Sequence, residues 1–177
     1  MSEPSLIIEA FDPALHDRAN FSCGVEQVDN FFKRTANKLA SADNLRVFVL
    51  ATEAHEVIGF YAVNAHTVDY ADLPPRFSRT RPGHGSIPAA YISMMGVDAR
   101  YAGKGCGGYL LAHALKRLAA VAENLGIAVV MLDVLDDGNP ENVSRRKALY
   151  ERYGFQSLPS NPLRLFVTMG TIRRLLS

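Results

Sequence analysis

Residues 100–108 read RYAGKGCGG, with glycine at positions 103, 105, 107 and 108 and cations at Arg100 and Lys104. Glycine at this density costs conformational entropy, and is retained where the backbone must turn tightly or come close to something. A helical pattern begins near Tyr109. A glycine-rich turn placed just before a helix gathers the helix's unpaired N–H groups, and the positive end of its dipole, around a concavity. The chemistry such a concavity serves is the binding of a phosphate.

Three nucleotide-binding patterns compete for the stretch. A Walker loop requires Ser or Thr after Lys104, and Gly105 stands there, so no hydroxyl is available for magnesium. A dinucleotide fingerprint could begin at Gly103 and Gly105 with Gly108 as its third glycine, but the stretch lies in mid-chain and Asp133 is too far on to serve as a secure ribose ligand. The third pattern needs the elements around the loop.

Residues 5–11 and the polar-looped pair 46–52 and 57–63 (RVFVLAT, VIGFYAV) read as strands, the latter two joined as a hairpin. Between them Val25, Val28, Phe31, Phe32, Ala36, Leu39 and Ala40 recur at helical spacing, preceded by Ser22-Cys23-Gly24 as a cap region. Residues 69–87 lose periodicity among Pro74, Pro75, Pro82, Gly83 and Gly85, a length more often functional than decorative in a loop. The apolar run 89–97 (AAYISMMGV) suits a strand covered on both faces. The helix after the loop carries a stripe of Leu111, Leu115, Leu118, Ala122 and Leu125. A buried strand at 127–135, a helix from Pro140 to Arg152 closed by Gly154, short strands at 155–158 and 163–169, and a last helical turn at 172–176 complete the chain.

With the elements in place, the third pattern is a resemblance. Arg100-x-x-Gly103-x-Gly105 matches the pyrophosphate signature of the GNAT family of N-acetyltransferases, and Tyr150 preceding Gly154-Phe155 matches its later tyrosine block. Phe21-Ser22-Cys23-Gly24, Phe31-Phe32, the segment from Val97 to Tyr101, and Leu165-Phe166-Val167 resemble the acetyltransferase toxins of bacterial toxin-antitoxin pairs. The resemblance implies an α/β (α+β) fold, a mixed central sheet splayed between its fourth and fifth strands and flanked by helices. It implies an acetyl-CoA-dependent enzyme that transfers acetyl to a primary amine by direct attack. Met95, Gly96 and Val97 would meet the pantetheine and the acetyl carbonyl through their backbone. Gly103, Lys104, Gly105, Cys106 and Gly107 would give amides to the pyrophosphate, with Arg100 and Lys104 adding charge at the rim. Tyr150 would be the acid for the departing thiolate. The position seven before it is Val143, so Asn142 or Ser144 takes the place of the family's polar contact.

The implied acceptor is the aminoacyl group of charged tRNA, with a small DNA-binding antitoxin as partner. The alternatives are a housekeeping enzyme acting on a small or protein amine, and a non-catalytic acyl-CoA sensor. Arg76, Arg79 and Arg81 read equally as a solvated loop and as contacts to an RNA backbone. His66, Asp98 and His113 have no spacing that marks a general base. Tyr150 also has a plain reading, as a helix-end aromatic packed on Phe155.

The whole composition sets the outer bounds. The 177 residues are 48% hydrophobic and 21% charged, which fits one domain spanning residues 1–177. A net charge of +1 gives no general pull toward nucleic acid, so any basic footprint is local. Cys23 and Cys106 match no metal or redox spacing, so no metal site and a reducing, cytoplasmic setting are expected. No apolar run is long enough to span a bilayer. A homodimer is compatible with the apolar C-terminal strand.

Overall fold

The computed structural model describes residues 5–79, 83 and 85–177. In chain order it gives β1 (Leu6–Ala10), α1 (Glu26–Asn30), a π-helical turn (Phe31–Thr35), α2 (Ala36–Ser41), β2 (Arg46–Thr52) and β3 (Val57–Asp69). Two 3₁₀ turns follow, Tyr70–Asp72 and Pro75–Arg79, then β4 (Ser86–Val97), a 3₁₀ turn (Ala99–Tyr101), α3 (Cys106–Val121) and β5 (Val129–Asp133). The chain ends with α4 (Pro140–Arg152), β6 (Gln156–Leu158), β7 (Asn161–Thr168) and α5 (Met169–Leu176). The strands form a mixed seven-stranded sheet in the order β1-β2-β3-β4-β5-β7-β6. β4 and β5 are parallel, and β1–β2, β2–β3, β5–β7 and β6–β7 are antiparallel. The β4–β5 ladder runs from Ala89↔Val129 to Ile92↔Leu132, while β4 continues to Val97.

The chain forms two compact units. One holds residues 1–64 and 93–114, the other residues 65–92 and 115–177. The core of the first is aromatic. Phe32 lies flat on Phe60 at 4.3 Å, and Phe21 meets both edge-on at 5.0 and 5.7 Å. These rings come from α1's approach, the π-helical turn and β3, so they fix that helical segment on the strand; edge-on and offset pairs are the arrangements that aromatic quadrupoles favour. The second unit is built on Val68, Leu73, Ile87, Ala89, Val129, Met131, Leu158 and Phe166. Phe77 meets Phe166 edge-on at 5.9 Å, which roots the Pro75–Arg79 turn in that core.

Several expected bounds shift for identifiable reasons. The single helix expected from Val25 is interrupted by a π-helical turn, and no side chain of the 22–24 segment caps it. Instead the Asp29 carboxylate reaches back to accept from Cys23 N–H at 2.9 Å and Ser22 Oγ at 3.2 Å. β3 runs on past Val63 to Asp69, a polar continuation that alternation could not mark. α3 ends at Val121, so Ala122 and Leu125 leave the expected stripe, and Leu125 is 60% exposed. The buried side of α3 is Leu110, Leu111, Ala114, Leu115 and Leu118. The last helical turn lengthens to α5, which starts at Met169 with Thr168 as its cap. Of the loop arginines, Arg76 stands over Phe77 at 5.1 Å, and Arg81 lies outside the described residues.

Candidate active site

In the first unit the glycine loop is anchored by Asp98, which is 1% exposed. Its backbone N–H donates to Ile58 O at 2.7 Å, and its carboxylate accepts from Arg100 N–H at 2.9 Å and Ser22 N–H at 3.2 Å. Arg100 Nε donates to Asp98 Oδ1 at 3.0 Å, and Arg100 Nη2 to Glu56 Oε1 at 2.8 Å. Burial pushes the Asp98 carboxyl up, but these donors outweigh it and hold the group below the usual carboxylate range. The Arg100 guanidinium, expected at the phosphate rim, is engaged by two carboxylates.

Past this anchor Gly103 and Gly105 take φ of +76° and +81°, a region that L side chains rarely adopt. A Cβ built on either meets nothing within 4 Å, so the backbone there borders open space. α3 begins at Cys106, so the N-terminal end of the helix and of its dipole adjoins the same turn. Lys104 Nζ lies 5.2 Å above the Tyr101 ring, which restrains the cation beside the turn. Burial pushes the Cys106 thiol up despite the nearby Lys104, the environment of an inert filler side chain. The cradle of amides with one cation at its edge fits a pyrophosphate. On β4, Met95 and Val97 are partly buried, and Gly96 is buried where a Cβ would stand 2.8 Å from Val28 Cγ1 and 3.1 Å from Phe60 Cε1.

In the second unit Tyr150 lies in the last turns of α4 and packs edge-on against Phe155 at 6.0 Å. Burial pushes its phenol up to about 12, against a small opposing effect of Arg146. Asn142 has both ends of its amide occupied, Nδ2 donating to Asp137 Oδ2 at 3.0 Å and Oδ1 accepting from Arg145. Asp137 also holds Arg146 at 3.1 Å, and Asn139 caps α4 through Glu141 N–H. This network fixes the start of α4.

A second polar group in this unit had no role in the sequence reading. Tyr91 Oη donates to Asp133 Oδ2 at 2.5 Å, Arg164 Nε donates to Asp133 Oδ1 at 2.8 Å, and the His66 ring stacks on Tyr91. The residues belong to different strands, so only the sheet order could bring them together. His113, by contrast, is a half-buried histidine whose Nδ1 is 2.9 Å from Tyr61 Oη. Glu9, His16 and His55 in the first unit approach one another closely enough to hold a metal ion. However, Asp12 N–H donates to His16 Nδ1 at 2.9 Å, which leaves the ring proton on Nε2, facing Glu9 at 2.7 Å. A metal-ligating histidine normally has the reverse arrangement, with its second nitrogen donating outward.

Residues 43–157 match the acetyltransferase (GNAT) domain family, and the chain belongs to that family of acetyl-CoA-dependent N-acetyltransferases. It is 64% identical over 171 residues, 96% of this chain and 94% of the relative, to a protein described as probable toxin TacT from Sinorhizobium fredii (strain NBRC 101917 / NGR234). It is 29% identical over 160 residues, 90% of each chain, to the tRNA-acetylating toxin of Mycobacterium tuberculosis (strain ATCC 25618 / H37Rv). Its fold is similar to that of AtaT solved with acetyl-methionyl-tRNAfMet, at TM-score 0.84 and 24% identity over 98% of this chain and 100% of that one. A tyrosine-to-phenylalanine variant of AtaT, bound to the C-terminus of the antitoxin AtaR and acetyl-CoA, matches at TM-score 0.79 and 21% identity over 97% of this chain and 98% of that one.

Proposed function

We propose that this enzyme is a toxin that acetylates the aminoacyl group of charged tRNA and is held in check by an antitoxin. The observation that carries the reading is the near full-length identity to a probable toxin, together with a second full-length relative named for tRNA acetylation. Gly103, Lys104, Gly105, Cys106 and Gly107 would hold the pyrophosphate of acetyl-CoA through backbone amides at the α3 N-terminus, where the helix dipole favours the charge. Met95, Gly96 and Val97 would pair with the pantetheine along the free end of β4. Arg100, bonded to Asp98 and Glu56, and Asn142, bonded to Asp137 and Arg145, would serve the cofactor by positioning the segments around it. When bound, acetyl-CoA supplies an activated acyl thioester.

Tyr150 Oη holds its proton throughout the physiological range, since its phenol is pushed up to about 12. It is the acid of this reading, able to protonate a departing thiolate. The amine must arrive uncharged, so kcat is expected to rise with pH as the acceptor loses its proton, with no falling limb from Tyr150 below about pH 11. Tyr150→Phe is expected to lower kcat by roughly 10²-fold or more while acetyl-CoA still binds. An unchanged kcat would remove Tyr150 from the chemistry. Two free cysteines, Cys23 and Cys106, support a cytoplasmic setting. Incubation with labelled acetyl-CoA, total charged tRNA and cell extract, read by mass spectrometry, tests the acceptor. Label on aminoacyl groups supports the reading, and label confined to small amines or proteins overturns it.

A further inference from the structure

Four side chains from four neighbouring strands stand in one row across the second unit's sheet: His66 of β3, Tyr91 of β4, Asp133 of β5 and Arg164 of β7. The exposed His66 ring stacks on Tyr91 with 5.1 Å between centroids and 30° between planes. Tyr91 is held from two sides. Its ring packs on the apolar cluster that includes Met131, Phe166 and Ala89, and its hydroxyl donates to Asp133. Asp133 is fixed in turn by the two-pronged Arg164 guanidinium, Nε at 2.8 Å and Nη2 at 3.1 Å. The row is therefore a rigid stack of two aromatic rings with its outer face exposed, and the one carboxylate within it is matched by a guanidinium.

The place of the row matters as much as its stiffness. Tyr91 immediately precedes Ile92, and Asp133 immediately follows Leu132, the last pair of the β4–β5 ladder. From there β4 runs on into residues 95–97, the edge assigned above to pantetheine. A pre-ordered aromatic stack with an exposed face and no uncompensated charge is what an unpaired nucleobase requires, because every base has a π-face and stacking needs no sequence-specific hydrogen bonds.

We propose that His66, stacked on Tyr91, is the platform for the unpaired nucleobase at the 3′ end of the acceptor RNA, an inference that rests on the charged-tRNA reading. Asp133 and Arg164 are positioning residues that keep Tyr91 under the histidine. Stacking also explains why the row recruits a histidine on the polar, exposed continuation of β3, where packing asks for nothing.

The test uses the full-length protein and tRNA whose 3′-terminal base is 2-aminopurine, a fluorophore quenched by stacking. Wild type and His66→Phe are expected to quench it on binding, and His66→Ala is not. With charged tRNA, His66→Ala is expected to raise KM by roughly 5- to 150-fold, the range of one lost base stack, and His66→Phe to restore it. Quenching and tRNA KM at wild-type values in His66→Ala would overturn the platform while leaving the tRNA reading intact. A wild-type enzyme that acetylates only small amines or proteins would overturn the tRNA reading, and the platform with it.

Discussion

The Arg100 guanidinium faces Asp98 at 3.0 Å and Glu56 at 2.8 Å, and the Asp98 side is almost fully withdrawn from water. A charged hydrogen bond to a buried carboxylate is stronger than an exposed pair such as Arg100–Glu56, which water screens. Removing the arginine therefore acts through Asp98, on the segment that presents the Gly103 and Gly105 amides. Arg100→Gln is expected to raise the KM for acetyl-CoA by about tenfold or more with kcat little changed, and Glu56→Gln to do much less. Arg100→Lys separates positioning from phosphate contact. A lysine keeps the charge but not the planar fork, so a positioning role predicts that it fails to restore KM, and a wild-type KM in that variant would return Arg100 to the phosphate rim. The loop's glycines and their anion chemistry were legible in the sequence because positive φ and open backbone demand a residue type. The Asp98 anchor was not, because Ser22, which donates to Asp98, lies 76 residues away, and Glu56, which accepts from Arg100, lies 44 residues away.

On the scale of elements, α1 meets β4 at Gly96. A Cβ there would stand 2.8 Å from Val28 Cγ1 and 3.1 Å from Phe60 Cε1, closer than packed atoms settle without movement. Gly96→Ala is expected to destabilise the protein by about 1–3 kcal/mol, as overpacking of a filled core does. Val28→Ala alone leaves a cavity, costing about 1–3 kcal/mol as the loss of a few buried methyl groups. In the double variant the smaller side chain makes room for the new methyl group, so the cycle is expected to show a favourable coupling of at least about 0.5 kcal/mol. Strictly additive losses in denaturant melts would show that the two elements do not press on each other here. Sequence periodicity found the helical segment from Val25 and α3, since burial of one face repeats along the chain, while α4, none of whose residues is fully buried, was marked by Pro140 at its start and Gly154 after its end. It missed the π-helical turn at Phe31–Thr35, because Phe31 and Phe32 fit either helical spacing and the choice is made by their packing on Phe60. It also stopped β3 short of His66, where neighbouring strands, and not an apolar pattern, maintain the strand.

Across the whole molecule, each unit contains a carboxylate held below its usual range, Asp98 in the first and Asp133 in the second. At both, burial raises the group and hydrogen bonds from arginine outweigh it: Arg100 at Asp98, Arg164 with the Tyr91 hydroxyl at Asp133. A depressed folded-state value means that the unfolded chain takes up protons first. The stabilisation is complete above the unfolded carboxylate value near 4 and is lost as pH falls through the lower folded values. Tm is therefore expected to be flat near neutrality and to fall below about pH 4. Asp98→Asn and Asp133→Asn should each lower Tm at pH 7 and flatten the acid fall. We read residues 1–177 as one domain because β3, β4 and α3 each run without a break from one unit into the other. Separate melting would require those elements to fray at mid-length, breaking backbone hydrogen bonds that the strands and helix otherwise keep. Each substitution should accordingly shift the same single calorimetric transition, although the two residues lie in different units. Two transitions, one moved by Asp98→Asn and the other by Asp133→Asn, would show instead that the units unfold independently.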